Sequence, residues 1–595
     1  MSRVDPTTIA GLIFLGIAGC TTLSETGSGS AESLRGLRLV APDDGATLTT
    51  ACPVFEWKPP RPAAVQICSD AACTSVVRQF AGLDGIGSPD PCLAEGAYFW
   101  RAARMRGGEI VGDWTTTRSF TIDLPGNPGA MAWARRAGGT DGDPDFGPGE
   151  KGSSIAALAS GDVGAAGDFM GTATFGAGES SETTLTSAGD TDGFVARYRA
   201  GDGSLVWVRA IHGTGIGQYV QAIGAMPDGG VAISGTVGGP TTFGAGEANE
   251  TTIVGQQEQI FVARYAADGR FLWVKLIQEA FGFAWGLSVA ADGSIYVTGR
   301  IGTTALFGAG EPNETRLEGT PVGAIFFARF FADGSLAWAR AVGPSGGTAA
   351  VALADGGAVF VGWLRYPTTF GAGEPNETLL APSTAPDTFV ARYRADGTLG
   401  WAKLARGGSQ DFVMDVAALP SGDVVITGEL GGETTFGPGE PNATVLLPGT
   451  NLVSAVFVAR YRLADGELVW ARAAPVADHG RGEGIAAHDD DSATITGEFD
   501  HMITFADGVS LTSAAPPDRT NGFVATYSGD GVAVWARRAG GSDGSTVPLA
   551  TTDVDGGTTI TGYFTGTTVF GAGEPGAITL TSAGLTDIFL ARYPP

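Results

Sequence analysis

The feature that most constrains the fold is a repeat that runs from about residue 131 to residue 595. Tryptophans that open WAR- or WVK-like segments recur at spacings of 63 to 74 residues. Phenylalanines that open FGAGE-type segments recur with them, as do ARY-type segments that end in an aromatic residue. Each series has seven members. Such internal self-similarity indicates one supersecondary unit used many times.

The positions of the three series define the repeats, which we number 1 to 7 by their phenylalanines. The tryptophans are Trp133, Trp207, Trp273, Trp338, Trp401, Trp470 and Trp535. The phenylalanines are Phe175, Phe243, Phe307, Phe370, Phe436, Phe505 and Phe570. The aromatic residues that end the ARY-type segments are Tyr198, Tyr265, Phe330, Tyr393, Tyr461, Tyr527 and Tyr593.

Each repeat reads as four antiparallel strands. In residues 412–473, VMDVAAL is the first strand and an SGD turn leads to VVITGEL, the second. A long glycine-rich excursion then leads to AVFVARY, the third strand, and an ADG turn to LVWARA, the fourth. Short turns with Asp-Gly suit two-stranded antiparallel hairpins. Four strands repeated seven times predict a seven-bladed β-propeller within an all-β chain.

Counting strands predicts how this propeller closes. The last third strand, which ends at Tyr593, has no fourth strand after it, whereas AMAWARRA, which contains Trp133, is a fourth strand with no third strand before it. We therefore expect an N-terminal strand to close the seventh blade, with Trp133 beside the strand that carries Tyr593. An open solenoid is the alternative, but a solenoid needs polar caps rather than complementary half-hairpins at its ends.

The repeat resembles the bacterial β-propeller repeats of secreted and surface proteins often called SBBP, in which a VYVTG-like strand precedes a DxFVARY-like strand. DGSIYVTG at 292–299 and DTFVARY at 387–393 carry this resemblance, which extends over residues 131–595. It implies the fold and an extracytoplasmic location. That family has no single activity, so the resemblance transfers no catalytic residue.

The first residues predict a lipoprotein. MSRVDPTTIAGLIFLGIAGC has an early arginine and an apolar stretch too short to span a bilayer, which is typical of a signal peptide over residues 1–19. The segment IAGC resembles the lipobox of bacterial lipoproteins, which implies lipid attachment at Cys20; a signal peptide with a chance cysteine is the alternative. Thr21 after the cysteine points, by the same resemblance, to the outer membrane. Residues 20–36 are predicted to be a flexible tether.

Residues 37–123 predict a small β-sandwich, followed by a linker at 124–130. Its strand-like runs, with Trp57 in an early strand and Tyr98 in a late one, resemble a fibronectin type III or immunoglobulin-like domain. Two disulfides are expected in an oxidising compartment, and zinc is the alternative. Among the three possible connectivities we expect these two pairs: Cys68 with Cys73, and Cys52 with Cys92.

The excursions carry a repeated carboxylate. A glutamate lies four residues after the phenylalanine in every repeat except the sixth, where Val509 replaces it; the sixth repeat also has Thr526 where the others have arginine. This paired loss favours a structural ion pair within each repeat, and a ring of carboxylates that binds Ca²⁺ is the alternative. The predicted pairs are Glu179 with Arg197, Glu247 with Arg264, Glu311 with Arg329, Glu374 with Arg392, Glu440 with Arg460, and Glu574 with Arg592.

The sequence says less about function. The formal charge of −27 argues against nucleic acid as a partner. No nucleophile, base and orienting group stand out together, so we expect no catalytic residue, no cofactor and no metal other than Ca²⁺. The leading hypothesis is a monomeric, lipid-anchored envelope protein, facing the periplasm or the exterior, that binds an unknown protein or glycan and is not an enzyme. The alternative is an enzyme that cleaves polysaccharide or peptide with carboxylates at one mouth of the propeller.

Overall fold

The structure is a computed structural model that describes residues 37–48, 55–82, 86–87, 96–106, 108–122, 131–140, 149–215, 217–254, 258–279, 281–448, 454–505, 508–516, 519–572, 574 and 576–594. Over these residues the fold is all-β and has no α-helix. No described helix is therefore long and apolar enough to cross a membrane. The chain divides into two compact units, Met1–Pro125 and Gly126–Pro595. The predicted signal peptide, Cys20, the tether, Cys52, Cys92 and the linker lie outside the described residues.

The described residues of the amino-terminal unit form two sheets. One has the strand order Arg38–Ala41, Phe55–Lys58 and Ile86–Gly87. The other has the order Ala46–Leu48, Arg118–Ile122, Gly96–Arg106, Ala63–Cys68 and Val76–Gly82, with Glu109–Ile110 paired to the long central strand.

Aromatic side chains form the core of the amino-terminal unit. Trp57 and Trp100 are fully buried, and the Phe55 ring lies edge-on to the Trp100 ring with centroids 4.9 Å apart. Burial of rings of this size supplies much of the apolar area that a small unit removes from water. A disulfide joins Cys68 to Cys73, which is one of the two expected pairs.

The second unit contains seven groups of four antiparallel strands among the described residues, and each group follows the first-to-fourth order expected for one repeat. The first strands are Lys151–Ala157, Gln218–Ala225, Gly282–Val289, Ser345–Ala352, Asp411–Ala418, Gly480–Ala487 and Thr546–Val554. The second strands are Val163–Phe169, Val231–Val237, Ile295–Ile301, Ala358–Leu364, Val424–Leu430, Ala493–Phe499 and Gly557–Phe564. The third strands are Asp192–Tyr198, Gln259–Tyr265, Ala324–Phe330, Asp387–Tyr393, Ser454–Tyr461, Asn521–Tyr527 and Asp587–Tyr593. The fourth strands are Leu205–Gly213, Phe271–Leu276, Leu336–Val342, Leu399–Leu404, Leu468–Val476, Ala533–Ala539 and, for repeat 7, Trp133–Ala137.

The seven groups contact one another in a closed cycle. The first strand of each repeat contacts the first strand of the next, and the first strand of repeat 7 contacts that of repeat 1. Second and third strands are almost wholly buried between neighbouring sheets, which explains why they read as continuous apolar runs. The first strands therefore surround a common centre, and the fourth strands lie at the periphery.

The sheet of repeat 7 is assembled from two distant parts of the chain. Trp133 pairs with Arg592 and Ala137 with Ile588 in an antiparallel ladder. The indole Nε1 of Trp133 also donates to the carbonyl of Ala200 in repeat 1 at 2.7 Å. The strand of Trp133 thus lies beside the strand of Tyr593, as the strand count predicts.

The excursions between second and third strands are small hairpins rather than open loops. Their strands are Thr172–Phe175 with Thr183–Thr186, Pro240–Phe243 with Thr251–Val254, Thr304–Phe307 with Thr315–Glu318, Thr368–Phe370 with Thr378–Leu380, Thr434–Phe436 with Thr444–Leu446, Met502–Thr504 with Ser510–Thr512, and Thr567–Phe570 with Ile578–Thr581. Several of them pair with the end of the preceding repeat, for example Thr242 with His212 and Ile503 with Val476, and Thr435 pairs with Arg406 in the two-residue strand Arg406–Gly407. Each such hairpin covers an outer edge that would otherwise be open to pairing with other chains.

Candidate functional site

Every first strand carries a β-bulge at the same place. In repeat 1, Gly152 and Ser154 pair with consecutive residues of the second strand, so Ser153 between them has no partner opposite. A bulge re-aims the unpaired side chain without ending the ladder on either side. The residues at the bulges are Ser153, Gln221, Trp285, Thr348, Met414, Glu483 and Leu549.

These bulge residues line one cavity of about 490 Å³. Since each comes from a different repeat, the cavity lies at the common centre of the seven sheets. We call it the central mouth. Lys151, Trp363, Phe412, Glu429 and Arg481 complete its lining.

The residues at equivalent positions of the mouth differ from repeat to repeat. Two residues before each bulge residue, the first strand has a residue that pairs with one residue of the second strand. The identity of this cross-strand pair differs in each repeat. The pairs are Lys151 with Asp168, Tyr219 with Thr236, Phe283 with Arg300, Gly346 with Trp363, Phe412 with Glu429, Arg481 with Glu498, and Val547 with Tyr563.

The residue immediately before this variable position is glycine in all seven repeats, and the backbone explains it. A Cβ on Gly428 would lie 2.0 Å from the carbonyl oxygen of Phe412, and a Cβ on Gly497 would lie 2.0 Å from that of Arg481. Atoms cannot approach so closely, so close strand packing requires glycine here. The fold therefore fixes the glycine and leaves the following residue free to vary.

Aromatic side chains occupy the sector of repeats 3 to 5. The ring of Trp285 stacks on Phe283 with centroids 5.5 Å apart and planes 6° apart. Trp363 meets Phe412 edge-on, with centroids 6.0 Å apart. All four rings are half-buried, so each keeps a face or an edge toward the mouth. Half-exposed rings of this kind offer flat apolar surface for a ligand.

Charged side chains occupy the sector of repeats 5 and 6. Burial raises the pKa of Glu483 to about 7, although Arg481 Nε lies 3.4 Å from its Oε1 and favours the carboxylate. Arg481 also donates to the sulfur of Met414 at 2.8 Å. Glu483 is therefore a carboxyl group that holds its proton near neutral pH and can donate a hydrogen bond.

Glu498 behaves in the opposite way. Burial disfavours its charged form, but contacts from His479, at 3.5 Å, and from the Thr520 hydroxyl, at 2.8 Å, outweigh burial and lower the pKa of Glu498. The same contact with Glu498 raises the pKa of His479. The mouth thus has Glu483, which can donate a hydrogen bond when protonated, and Glu498, the cross-strand partner of the mouth residue Arg481, adds a carboxylate acceptor beside it.

The predicted pairing of glutamates with arginines of the same repeat is wrong. Glu440 instead contacts Lys403 of the preceding repeat at 2.7 Å, and its other oxygen accepts from the N–H of Leu468 at 2.6 Å. Glu311 binds Lys275 and the N–H of Leu336 in the same way, and Glu374 accepts from Leu399. The remaining glutamates have the same kind of partner: Glu179 contacts Arg135 and Leu205, Glu247 accepts from Phe271, and Glu574 contacts Arg537.

The glutamates lie in the turns of the excursion hairpins and contact the peripheral fourth strands, away from the central mouth. The cations Arg135, Lys275, Lys403 and Arg537 each lie two positions after the tryptophan of the preceding fourth strand. The sequence argument failed because it compared residues within a repeat, whereas the pair joins adjacent repeats. Among the described residues no three His, Cys, Asp or Glu side chains form a group suited to a metal ion.

The arginines of the third strands have different partners. Arg392 binds Asp355 of its own repeat and donates to the carbonyl of Leu463 in the next repeat at 3.0 Å. The nearby Trp401 donates to the same carbonyl at 2.8 Å. Equivalent contacts join Arg197 to Asp162, Arg264 to Asp228, Arg329 to Asp292 and Arg460 to Asp423. Arg592 donates to the carbonyls of Ala200 and Val554.

This geometry explains why repeat 6 lacks the arginine. The carbonyl that an arginine at 526 would bind belongs to the short turn between third and fourth strands of the next repeat. In repeat 7 those strands come from distant parts of the chain, so no such turn joins them. Thr526 instead contacts the Thr494 hydroxyl at 2.6 Å. With Val509 in place of glutamate, Arg472 donates to the carbonyls of Asp530 and Gly531.

The residues of the mouth were not among the predicted site residues. One signal was available in the sequence. The residue that follows the constant glycine of the second strand differs in most repeats, while the residues on either side of this two-residue segment stay alike. The bulge, which adds the second variable position, is a property of strand pairing and leaves no mark of its own in the sequence.

No protein-family model matches the chain, and no curated protein matches it. A structural genomics protein of unknown function from Bacteroides thetaiotaomicron is similar at 10% identity with a TM-score of 0.27, covering 94% of this chain and 99% of that one. A quinohemoprotein alcohol dehydrogenase from Comamonas testosteroni is similar at 12% identity with a TM-score of 0.32, covering 84% of this chain and 73% of that one. Scores this low carry no argument about fold or activity.

Proposed function

We propose that the chain is a lipid-anchored envelope protein whose repeats form a seven-bladed β-propeller, and that the central mouth of this propeller binds a glycan. The observation that carries the proposal is the set of seven unlike bulge residues on seven otherwise similar sheets. The ladder leaves these positions unconstrained, and in this chain they converge from seven sheets on one cavity together with aromatic and charged side chains.

The chemistry of the mouth favours a glycan over a purely apolar or purely ionic ligand. A sugar has apolar C–H faces that fit against aromatic rings and hydroxyl groups that both donate and accept hydrogen bonds. The mouth offers rings at Trp285 and Trp363, donors at Arg481 and protonated Glu483, and an acceptor at Glu429. Aromatic rings beside convergent polar groups are typical of small-molecule sites.

A glycan array probed with the full-length chain tests the proposal. Wild type should bind a defined set of glycans, and Trp285→Ala and Glu483→Gln should each reduce that binding. Tyr366→Ala is the matched control, because Tyr366 is an exposed aromatic residue outside the mouth. Equal binding by all four proteins, or no binding by wild type, would contradict a glycan site in the mouth.

The envelope location rests on the amino-terminal sequence alone. The proposed anchor is lipid on Cys20, the proposed destination is the outer membrane, and the proposed spacer is the fibronectin III-like sandwich. Labelling with radioactive palmitate tests the anchor. Label should enter wild type and be absent from Cys20→Ser, and label in both would refute it.

A second candidate function is glycan cleavage at the same mouth. It is favoured by two carboxyl groups with opposite pKa shifts, Glu483 in the mouth and Glu498 beside it opposite Arg481, because glycoside hydrolysis uses one acid and one base. Release of new reducing ends from an array-positive glycan would support it, provided that Glu483→Gln abolishes release. Binding without release assigns the mouth to recognition alone.

A further inference from the structure

A second cavity, of about 550 Å³, lies between repeats 6 and 7 beside the central mouth. We call it the side groove. It is lined by Glu498, Arg519, Thr520, Asp543, Tyr563 and Thr565.

The side groove adjoins the mouth through residues on shared or paired strands. Glu498, which lines the groove, is the cross-strand partner of Arg481, which lines the mouth. Val547 lines the groove and Leu549 lines the mouth, and the two residues belong to the same first strand. A ligand that enters the mouth at repeats 5 and 6 can therefore extend outward between repeats 6 and 7 without leaving the protein surface.

The chemistry of the groove repeats that of the mouth. The ring of Tyr563 is half-buried, and no hydrogen bond of its hydroxyl to a described residue is present. Burial, together with the charges of Glu498 and Glu483, raises the pKa of Tyr563 to about 12, so its hydroxyl remains a donor at neutral pH. Arg519 contacts the Thr565 hydroxyl at 3.2 Å and is otherwise exposed. The groove thus has its own ring, with donors and acceptors beside it.

We infer that the glycan proposed for the mouth is an oligosaccharide, with one sugar held at Trp285 and a later sugar held against Tyr563 in the side groove. This inference rests on the proposed glycan function. With the groove as part of the site, the protein would bind an oligosaccharide more tightly than a single sugar, because only a ligand of several units contacts both Trp285 and Tyr563.

Length-dependent binding tests the inference. The probes are a monosaccharide, a disaccharide and a hexasaccharide from each of the cello-, malto- and N-acetylglucosamine series, titrated calorimetrically into the full-length chain. Wild type should bind the hexasaccharide of one series more tightly than its monosaccharide. Tyr563→Ala should weaken the hexasaccharide about fivefold, as loss of one aromatic contact does, and leave the monosaccharide unchanged. Trp285→Ala should weaken both.

The outcomes separate the two proposals. If Trp285→Ala weakens binding but Tyr563→Ala changes no length, or changes every length equally, the side groove is not part of the site and the glycan function stands. If wild type binds no member of any series, both proposals fail. Tyr366→Ala again controls for loss of an aromatic side chain, and thermal unfolding of each variant checks that the fold is retained.

Discussion

Replacing Trp133 with alanine tests the closure of the ring. Trp133 is 4% exposed, and a buried tryptophan of this kind removes about 200 Å² from water, worth about 5 kcal/mol at 25 cal/mol per Å². Because alanine keeps part of this area, we expect a loss of about 3 to 5 kcal/mol. For a unit of residues 126–595, an unfolding entropy of about 2.1 cal/mol/K per residue converts this loss to a fall in Tm of about 4 °C.

Trp401→Ala is the matched control. Trp401 is 8% exposed, and its Nε1 donates to Leu463 at 2.8 Å, so the local loss is the same. The two variants differ in connectivity: a short turn ties the strand of Trp401 to its third strand, whereas only pairing holds Trp133–Ala137 against Asp587–Tyr593. Limited proteolysis should therefore cut Trp133→Ala near residues 131–140 and leave the equivalent strand of Trp401→Ala intact. Equal protection of both strands from proteolysis would refute the closure argument.

Three further predictions concern contacts between repeats and ionisation. Arg392→Ala should lower the free energy of unfolding by about 1 to 3 kcal/mol, because it breaks contacts with Asp355 and Leu463, and an unchanged denaturant midpoint would contradict it. A double-mutant cycle on Lys403 and Glu440 should give a coupling energy of about 0.5 to 1 kcal/mol, whereas a cycle on Glu374 and Arg392 should give almost none. Glu483→Gln should flatten the pH dependence of stability. Since the folded pKa of about 7 exceeds the unfolded value of about 4.5, this group makes the wild type lose stability as pH rises from about 4.5 to 7, and equal slopes in wild type and variant, measured by urea unfolding, would count against it.

The arrangement of strands was predictable because its signals are local and repeated. Each DG turn and each apolar run is visible in several copies, so an error in one copy is corrected by the others. The place of Trp133 followed from the number of strands in each repeat. One fourth strand lacked a third strand before it and one third strand lacked a fourth strand after it, so the two were expected to pair. The hairpins within the excursions were missed because strands of three or four residues are too short to show a clear alternation of apolar and polar residues.

The partners of Glu440 and Arg392 were not predictable in the same way. The sequence shows which positions vary together, but it does not show whether a side chain reaches its own sheet or the next one. The joint loss of Glu and Arg in repeat 6 does not reflect a contact between these two side chains, because their equivalents in other repeats have different partners. Val509 removes the partner of a cation in repeat 5, and Thr526 sits opposite the junction where repeat 7 is assembled from both parts of the chain.

The seven β-bulges have a consequence for how specificity can be altered. Each bulge residue belongs to a separate copy of the same scaffold, and the ladder on either side of it does not depend on which side chain it carries. The effects of exchanges at Gln221, Thr348 and Leu549 on stability should therefore be almost additive, since each residue lies on a different sheet, whereas their effects on binding should couple because all three line one cavity. Such modularity makes the ring a natural framework for combinatorial libraries, in which a new selectivity is composed one sector at a time.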